Sequence, residues 1–270
     1  MLMLNQIHKG DCMDFFKQIP DKSVDLGVTD CPYLIKTGGA RIADDSTGGV
    51  LSRYDKTDPK GCLSRPLKII SPKDLKSRWL KQNNEENRNF VKTGKLFEHC
   101  DIKFEVWLPE LYRVLKDKTH CYIFVNSRNL KELQFKAEKA GFIFQNLLVW
   151  KKNNQTPNKY YMQQCEFILM LRKGNAKNVN NMGLSNVLEI PNIVGHKLHP
   201  TEKPVNLNKI IIKQSSNEYD LVIDQFMGSG STAIACLETN RTFIGAEINE
   251  VYYKRAIERI KDYEPQLKLL

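Results

Sequence analysis

Residues 224–232 read Asp-Gln-Phe-Met-Gly-Ser-Gly-Ser-Thr, a glycine-rich stretch between two regular elements. The residues before it, 219–223, are largely apolar and β-branched, which predicts a short buried strand. Those after it, 231–237, are mostly small and apolar, which predicts a helix. Gly228 and Gly230 allow tight backbone turns and the close approach of a ligand. The stretch is therefore predicted to be a strand–turn–helix unit whose helix start favours a carboxylate or a phosphate.

A second predicted strand ends in an acidic residue. Residues 242–249 read Thr-Phe-Ile-Gly-Ala-Glu-Ile-Asn, so Glu247 stands at the C-terminal end of that strand. An acidic side chain in this position is the usual partner of a ribose with two free hydroxyls. The glycine turn and Glu247 together predict a site for a nucleoside cofactor. A glycine turn inside an ordinary α/β core is the alternative that these residues leave open.

Two classes of cofactor are disfavoured by single residues. A phosphate-binding P-loop needs Lys directly after its last glycine, where Ser231 stands. The dinucleotide fingerprint needs a third glycine, and Ala233 occupies that position. The pattern instead resembles the motif of S-adenosylmethionine-dependent methyltransferases. In that family the turn holds the methionine end of the cofactor and the acid holds its ribose, which implies S-adenosylmethionine as the cofactor here.

Length and charge limit the kind of protein this is. The chain has 270 residues and a formal net charge of +10, which allows one large α/β domain with insertions. The basic excess is concentrated in residues 34–99 and 150–215, the two stretches least like a protein core. Such surfaces suit a nucleic-acid backbone, whereas Lys-rich solvated loops are the alternative.

The seven cysteines are scattered, without a Cys-x-x-Cys pair and without His at metal-ligand spacing. This usage indicates a reduced, cytoplasmic protein that has no metal site. Residues 1–4 are too short for a signal peptide, and the longest apolar runs are too short to span a bilayer. No membrane partner is therefore expected.

A second motif follows the predicted strand 24–29. This strand runs into Asp30-Cys31-Pro32-Tyr33 at the edge where open α/β sheets bind ligands. Asp30 can accept a hydrogen bond from an amino group, and Tyr33 offers a flat face to a base. Pro32 stiffens the backbone so that the carbonyl of Cys31 can point into the cleft. Taken alone, an Asx/Pro turn explains this tetrapeptide equally well.

The tetrapeptide resembles the Asp-Pro-Pro-Tyr motif of DNA amino-methyltransferases, which act on adenine N6 or cytosine N4. Cys31 replaces the first proline of that motif. The family uses this residue through its backbone carbonyl, which Cys also has. The resemblance therefore implies that Asp30, Cys31, Pro32 and Tyr33 are the catalytic residues.

Residues 199–204 read His-Pro-Thr-Glu-Lys-Pro and open a predicted helix over 205–213. They resemble the His-Pro-Thr-x-Lys-Pro signature that precedes the cofactor turn in the circularly permuted β class of these enzymes. The helix start is expected beside the cofactor's carboxylate, with either Lys203 or the backbone N–H groups providing the positive charge. The catalytic motif comes first and the cofactor motif last, which is the order of the β class.

The resemblance implies an α/β fold, with one Rossmann-like methyltransferase domain over 1–270 and a circularly permuted motif order. A mostly parallel seven-stranded sheet is expected, with an antiparallel edge hairpin formed by 142–151 and 166–171. Residues 34–99 are a long insertion, expected to be a lid or DNA-contacting element or else a surface loop. Residues 174–198 are a short candidate target-recognition segment.

The resemblance also assigns the cofactor contacts. The turn and the helix start surround the methionine part, Glu247 bonds the ribose hydroxyls, and Asp11 and Cys12 lie beside the adenine. The cofactor-binding residues that it implies are Asp11, Cys12, Thr201, Lys203, Asp224, Phe226, Gly228, Ser229, Gly230, Ser231, Thr232, Glu247, Ile248 and Asn249.

The implied reaction is site-specific methylation of double-stranded DNA at N6 of a flipped-out adenine. Asp at position 30 is commoner in the adenine enzymes of the family and Ser in the cytosine enzymes, so adenine is preferred and cytosine N4 stays open. An inactive nucleic-acid-binding protein with the same fold, and methylation of RNA or of a protein amide, are further alternatives. A homodimer and a restriction endonuclease partner are compatible with the resemblance, but these residues carry no signal for either.

Overall fold

The computed structural model describes four stretches of the chain, which are residues 3–32, 102–156, 160–193 and 202–267, with side chains up to residue 263. Within these stretches, no helix has both the length and the apolar character needed to cross a membrane. The same residues contain no group of three or more His, Cys, Asp or Glu side chains that could hold a metal ion.

The chain divides into two compact units. One unit comprises Met1–Tyr33, Asp101–Gln155 and Gln164–Leu270, and the architecture given below is that of this unit. The other comprises Leu34–Cys100 and Thr156–Gln163, and most of it lies outside the described residues. The predicted insertion over 34–99 therefore stays a prediction.

A single sheet forms the core of the described part of the chain. Its strands are, in chain order, β1 (Gln6–Lys9), β2 (Val24–Asp30), β3 (Leu115–Val125), β4 (Ile143–Thr156), β5 (Gln163–Arg172), β6 (Val187–Glu189), β7 (Leu221–Asp224) and β8 (Thr242–Glu247). Across the sheet they follow the order β1-β8-β7-β2-β3-β5-β4-β6. The first five strands in this order are all parallel to one another. The predicted α/β class with a mostly parallel, Rossmann-like sheet is confirmed.

Strand β5 runs against its neighbours. It pairs antiparallel with β3. Between β5 and β4, the side-chain contacts Lys152–Glu166 and Gln155–Gln164 progress in opposite directions along the two strands, so this pair is antiparallel as well. The hairpin expected at the sheet edge thus exists, but it is not the edge, because the short strand β6 pairs in parallel with β4 outside it. This extra strand makes the sheet eight-stranded rather than seven-stranded.

Helices cover both faces of the sheet. Those within the described residues are α1 (Cys12–Phe16), α2 (Phe104–Val114), α3 (Leu130–Lys139), α4 (Val205–Ser215), α5 (Ser231–Leu237) and α6 (Glu250–Leu267). Residues of α1, α2 and α3 belong to one buried apolar cluster, and residues of α4, α5 and α6 belong to the other. Strand β3 separates the two clusters, since Cys121 and Ile123 face the first while Tyr122 and Phe124 face the second.

The carboxyl ends of β2, β7 and β8 lie together. Strand β7 is paired in parallel with β2 on one side and with β8 on the other. Parallel neighbours end at the same edge of a sheet, which is where open α/β sheets bind ligands. The last residues of these three strands are Asp30, Asp224 and Glu247, so three acidic side chains start from one edge.

Candidate active site

A buried carboxylate joins the two motifs that the sequence places far apart. Thr29 donates a hydrogen bond from Oγ1 to Asp224 Oδ1 over 2.8 Å. Thr232 donates from Oγ1 to Asp224 Oδ2 over 2.7 Å, and the backbone N–H of Phe226 donates to Oδ1 over 3.1 Å. Burial raises the pKa of Asp224 to about 6 although these donors favour the carboxylate. Asp224 therefore connects the end of β2, the glycine turn and the start of α5.

The glycine turn between β7 and α5 has a backbone conformation that only glycine adopts readily. Gly228 and Gly230 have φ values of 57° and 80°, in the left-handed region that L side chains rarely adopt. Directly before Gly228, the N–H of Met227 donates to the carbonyl of Ala246 on β8 over 2.9 Å. A Cβ atom on Gly230 would lie 3.2 Å from the Cβ of Ala256 on α6. The turn is thus pressed between β8 and α6 and needs glycine for its shape.

Glu247 fastens the loops that follow β7 and β8. Its Oε2 accepts a hydrogen bond from the N–H of Gly228 over 2.8 Å, and its Oε1 accepts one from the N–H of Asn249 over 2.8 Å. The carboxylate of Glu247 is therefore oriented by backbone N–H groups at the C-terminal end of β8.

A chain of alternating charges surrounds Asp30. Lys203 places its Nζ 2.5 Å from Asp30 Oδ2 and 3.3 Å from Glu166 Oε2. Glu166 in turn forms an ion pair with Lys152. The side chain of Lys203 is only 8% exposed, whereas that of Asp30 is 22% exposed. The ammonium of Lys203 is therefore enclosed between two carboxylates that are both more exposed than it is.

Burial and charge act in opposite directions on these groups. Burial acts to lower the pKa of Lys203, but the negative charges of Asp30 and Glu166 outweigh it, so this pKa is raised above its ordinary value. Burial acts to raise the pKa of Glu166, yet Lys203 and Lys152 hold it at about 2. For Asp30 burial is the larger effect, and its pKa is raised despite the opposing charge of Lys203. The charge of Asp30 thus depends strongly on its lysine neighbour.

Cys31 is buried beside β3. Its Sγ donates to the carbonyl of Phe124 at a distance of 3.8 Å, and the residue is 3% exposed. Burial raises the pKa of this thiol well above its ordinary value, and the charge of Asp30 adds to the effect. Because the thiolate is the nucleophilic form of cysteine, the side chain is unsuited to covalent catalysis. Cys31 can therefore take part through its backbone.

A family model described as DNA methylase, which covers N6 and N4 methyltransferases, matches residues 24–258 and hence most of the chain. The chain belongs to this DNA methylase family. The match begins at the first residue of β2 and includes Asp30, the glycine turn and Glu247. The family membership expected from the motifs is confirmed.

Known proteins are similar to this methylase in sequence or in fold. The type II methyltransferase M.HinfI of Haemophilus influenzae is 26% identical over 287 aligned positions, which cover 97% of this chain and 70% of that protein. The structure of the M1.HpyAVI–SAM complex is similar with a TM-score of 0.61 and 24% identity, covering 94% of this chain and 98% of the other. The PvuII DNA methyltransferase, described as cytosine-N4-specific, has a TM-score of 0.63 and 15% identity, covering 94% and 85%.

Several residues of the turn that are predicted to bind the cofactor are contacted by side chains from helices α2 and α6. The ring of Phe226 packs edge-to-face on Trp107 of α2, with 5.3 Å between centroids. Arg259 of α6 donates to the carbonyl of Ser229 and to Ser231 Oγ, both over 3.3 Å. Because Arg259 also bonds the buried carboxylate of Glu202 over 2.7 Å, it attaches the segment before α4 to the turn.

Asp11 and Cys12, which the resemblance assigns to the cofactor's adenine, follow a strand that is paired with β8. Strand β1 pairs in parallel with β8, and the N–H of Gly10 donates to the carbonyl of Glu247 over 3.1 Å. Asp11 caps α1 by accepting a hydrogen bond from the N–H of Met13 over 2.7 Å. Cys12 is buried, and its burial raises the pKa of the thiol to about 12. The pair thus begins a helix directly beside the predicted ribose site.

Lys203 contacts the catalytic motif directly, since its ammonium donates to Asp30 Oδ2. The role beside the cofactor's carboxylate that the sequence predicts for it stays a prediction. Tyr33 and Thr201 lie outside the described residues, and so does the end of the predicted recognition segment, residues 194–198. Their assigned roles stay predictions.

Sequence reasoning did not find the residues that support the site from other elements. These are Thr29, which bonds Asp224; Lys152 and Glu166, which continue the charge chain; and Glu202 and Arg259, which hold the turn. Glu202 lies inside the His-Pro-Thr-x-Lys-Pro signature, so its place next to Lys203 was a signal that could have been used. The others carry no local motif.

Proposed function

We propose that this methylase transfers a methyl group from S-adenosylmethionine to the exocyclic N6 of adenine in double-stranded DNA. The observation that carries the proposal is the meeting of the two motifs, because the Thr29–Asp224 hydrogen bond brings the start of the catalytic tetrapeptide to the start of the glycine turn. Asp30 follows Thr29 directly, and its charge contributes to raising the pKa of Asp224. The acceptor for the amine and the cofactor turn are thus electrostatic neighbours.

The residues at this edge fit S-adenosylmethionine, the cofactor in the M1.HpyAVI–SAM complex that shares the fold. Glu247 stands at the C-terminal end of β8, where an acidic side chain is the usual partner of ribose hydroxyls. Gly228 and Gly230 have positive φ values and carry no side chain, so the backbone of the turn is accessible where the methionine part would approach. Phe226, Ser229, Ser231, Thr232, Ile248 and Asn249 lie around these groups. When bound, the cofactor supplies an electrophilic methyl group on a positively charged sulfur.

The protein's part in the chemistry is to improve a poor nucleophile. The lone pair of an exocyclic amine is delocalised into the base, so the nitrogen attacks weakly. Two acceptors, the Asp30 carboxylate and the Cys31 carbonyl, would bond its two hydrogens and direct the lone pair at the methyl carbon. Transfer would form the nitrogen–carbon bond as the donor's sulfur–carbon bond breaks with its electron pair going to sulfur, and the amine would release one proton to solvent. No covalent enzyme intermediate is needed, in keeping with the neutral thiol of Cys31.

A base inside a duplex cannot reach Asp30, so the target adenine has to be flipped out of the helix. Tyr33, adjacent in sequence to Pro32, is the residue we assign to stack on the flipped base. The net charge of +10 favours the phosphate backbone that surrounds such a base.

The proposal is tested with the variant Asp30→Ala. The protein is incubated with radiolabelled S-adenosylmethionine and genomic DNA that lacks methylated bases, and cofactor binding is measured by calorimetry. We expect methyl transfer to fall at least ~100-fold while cofactor binding persists. Asp14→Ala is the control, since Asp14 is exposed and pairs only with Lys17 among the described residues. Wild-type turnover in Asp30→Ala, or no transfer by the unaltered protein, overturns the proposal.

Cytosine N4 is the second candidate. It is favoured by the shared fold with the PvuII methyltransferase, described as cytosine-N4-specific, and the two acceptors fit either amine. Aspartate at position 30 supports adenine through the resemblance stated above. Mass spectrometry of nucleosides from the methylated DNA distinguishes N6-methyladenine from N4-methylcytosine. RNA and a peptide amide offered in the same assay test the remaining substrates.

A further inference from the structure

We propose that Lys203 is a positioning residue that occupies Oδ2 of Asp30 and so presents Oδ1 to the amine of the target base. The inference deepens the proposed function and rests on it. It assigns to this lysine a role in orienting the acceptor rather than in binding the cofactor.

The geometry around Lys203 leaves its ammonium little freedom. Nζ lies 2.5 Å from Asp30 Oδ2 and 3.3 Å from Glu166 Oε2. It also lies 5.3 Å from the centroid of the Phe124 ring, which is within cation–π range. The backbone of Lys203 immediately precedes Pro204, the first cap residue of α4. The ammonium is thus held by β2, β5 and β3 together.

Glu166 and Lys152 continue the series of ion pairs on the side of Lys203 away from Asp30. Glu166 bonds Lys203 through Oε2 and Lys152 through Oε1. A buried charge is costly unless it is paired, and in this series every charge has a partner of opposite sign. The series crosses from β4 through β5 to the end of β2, so the sheet itself sets the position of the lysine.

Occupation of one oxygen suits the proposed chemistry. The amine of the base has two hydrogens, and one of them is assigned to the carbonyl of Cys31. Asp30 therefore needs a single oxygen, and a carboxylate free to rotate would offer either. Since Lys203 holds Oδ2, Oδ1 is the oxygen left for the substrate in the described part of the chain. The direction of the acceptor is then determined before the base arrives, which lowers the entropy lost on reaching the reactive geometry.

Lys203 also keeps Asp30 in the acceptor state. Burial raises the pKa of Asp30, and the charge of Lys203 is the largest influence opposing it. In the part of the chain that the structure describes, the other charged groups near this pair include Glu166 on β5, Lys152 on β4 and Asp224 on β7. Without Lys203, the carboxyl group of Asp30 is protonated at higher pH, and a protonated oxygen is a weaker acceptor for the amine.

The test compares Lys203→Met, Lys203→Arg and the control Lys209→Met. Lys209 lies on α4 and forms a partly buried ion pair with Glu238 at 2.6 Å, away from Asp30. Two readouts are used: the pH dependence of kcat for methylation, and the titration of Asp30 followed by carbon-13 NMR of labelled aspartate, assigned with Asp30→Asn. The NMR titration is made without cofactor and without DNA, so it does not depend on activity.

In Lys203→Met, the acidic limb of the pH–rate profile and the Asp30 titration should both move upward by at least about one pH unit. At neutral pH, kcat should fall about tenfold or more, while KM for the cofactor stays within about twofold. Lys203→Arg should recover most of the pH shift because it keeps the charge, and Lys209→Met should resemble the unaltered protein.

An Asp30 titration and an acidic limb that stay in place in Lys203→Met overturn the inference, as does an increase in KM for the cofactor with unchanged kcat. If the unaltered protein methylates no DNA, the proposed function fails, whereas the titration still decides the pairing. If Lys203→Met does not fold, the double variant Lys203→Met/Glu166→Gln is used. It removes the lysine together with the charge of Glu166, which would otherwise lose one of its ion-pair partners. The double variant should move the Asp30 titration in the same direction but by less, because the charge of Glu166 itself raises the pKa of Asp30; a titration that stays in place overturns the inference.

Discussion

Thr29 and Asp224 share a buried hydrogen bond of 2.8 Å although they lie 195 positions apart in the chain. Each of them stands at the start of a motif, since Asp30 follows Thr29 and the glycine turn follows Asp224. The bond joins neighbouring parallel strands at their carboxyl ends. It therefore determines how far the amine acceptor lies from the cofactor turn, which neither motif determines alone.

Replacement of Thr29 by Val tests this bond. Val has nearly the same shape but no hydroxyl, so Asp224 Oδ1 loses a buried donor. We expect the free energy of unfolding to fall by about 2 kcal/mol, as measured by urea denaturation. Thr119→Val is the control, because the hydroxyl of Thr119 bonds the carbonyl of Lys116 at an exposed site. An equal loss of stability in both variants would show that the buried hydrogen bond of Thr29 stabilises the fold no more than the exposed one of Thr119.

Asp224 makes a pH-dependent contribution to stability. Its pKa is raised to about 6 by burial, compared with about 3.9 in an unfolded chain. A group whose folded pKa is raised stabilises the protein fully below the unfolded pKa, and this stability is lost as the pH rises through the folded pKa. Asp224→Asn cannot ionise. Its free energy of unfolding should therefore gain up to about 3 kcal/mol relative to the unaltered protein between pH 4 and pH 7. Urea unfolding curves that keep a constant separation over this range would contradict the prediction.

Glu247 should control cofactor binding. Its two oxygens are oriented by the N–H groups of Gly228 and Asn249. In Glu247→Gln, the negative charge is lost and one oxygen becomes a donor that faces a backbone donor. We expect the affinity for S-adenosylmethionine, measured by calorimetry, to fall at least ~10-fold. The matched control is Glu250→Gln, three positions further on, where the carboxylate is 44% exposed and pairs with Lys9 and Lys254. Normal affinity in Glu247→Gln would remove this residue from the site.

The parts of the fold that sequence predicts best are those determined by local pattern. The helix expected over 231–237 is α5 with the same bounds, because glycine precedes it and small residues fill it. Strand β2, expected over 24–29, is found over Val24–Asp30, and its apolar residues Val24, Leu26 and Val28 are fully buried in the sheet. By contrast, β6 has three residues, too few for any periodicity to show, and it displaces the predicted hairpin from the sheet edge.

The supporting residues of the site could not be predicted for a related reason. Lys152 and Glu166 meet only because β4 and β5 pair in a particular register, and one step of register would turn these side chains to the opposite face. Lys203 stands in a recognisable signature, but its partner depends on how the segment before α4 lies against β2 and β5. A motif thus predicts which residues matter, whereas the packing of distant elements decides which of them touch.

The glycine turn allows backbone strain to be separated from close packing. Gly230 has a φ of 80°, and a Cβ there would lie 3.2 Å from Ala256 Cβ and 3.4 Å from its Cα on α6. Gly174 has a φ of 64°, but a Cβ there would meet nothing within 4 Å. Gly174→Ala should thus lose only the backbone contribution, about 1 kcal/mol.

Gly230→Ala should lose about 1–3 kcal/mol more than Gly174→Ala, since α6 has to move away from the turn. The movement also displaces Arg259, which bonds Ser229 and Ser231 from the same helix. Gly230→Ala should therefore weaken binding of S-adenosylmethionine, whereas Gly174→Ala should leave it unchanged. Urea unfolding and calorimetry on both variants measure these effects. If the two alanine variants lose the same stability and bind the cofactor equally well, the contact between the turn and α6 does not shape the site.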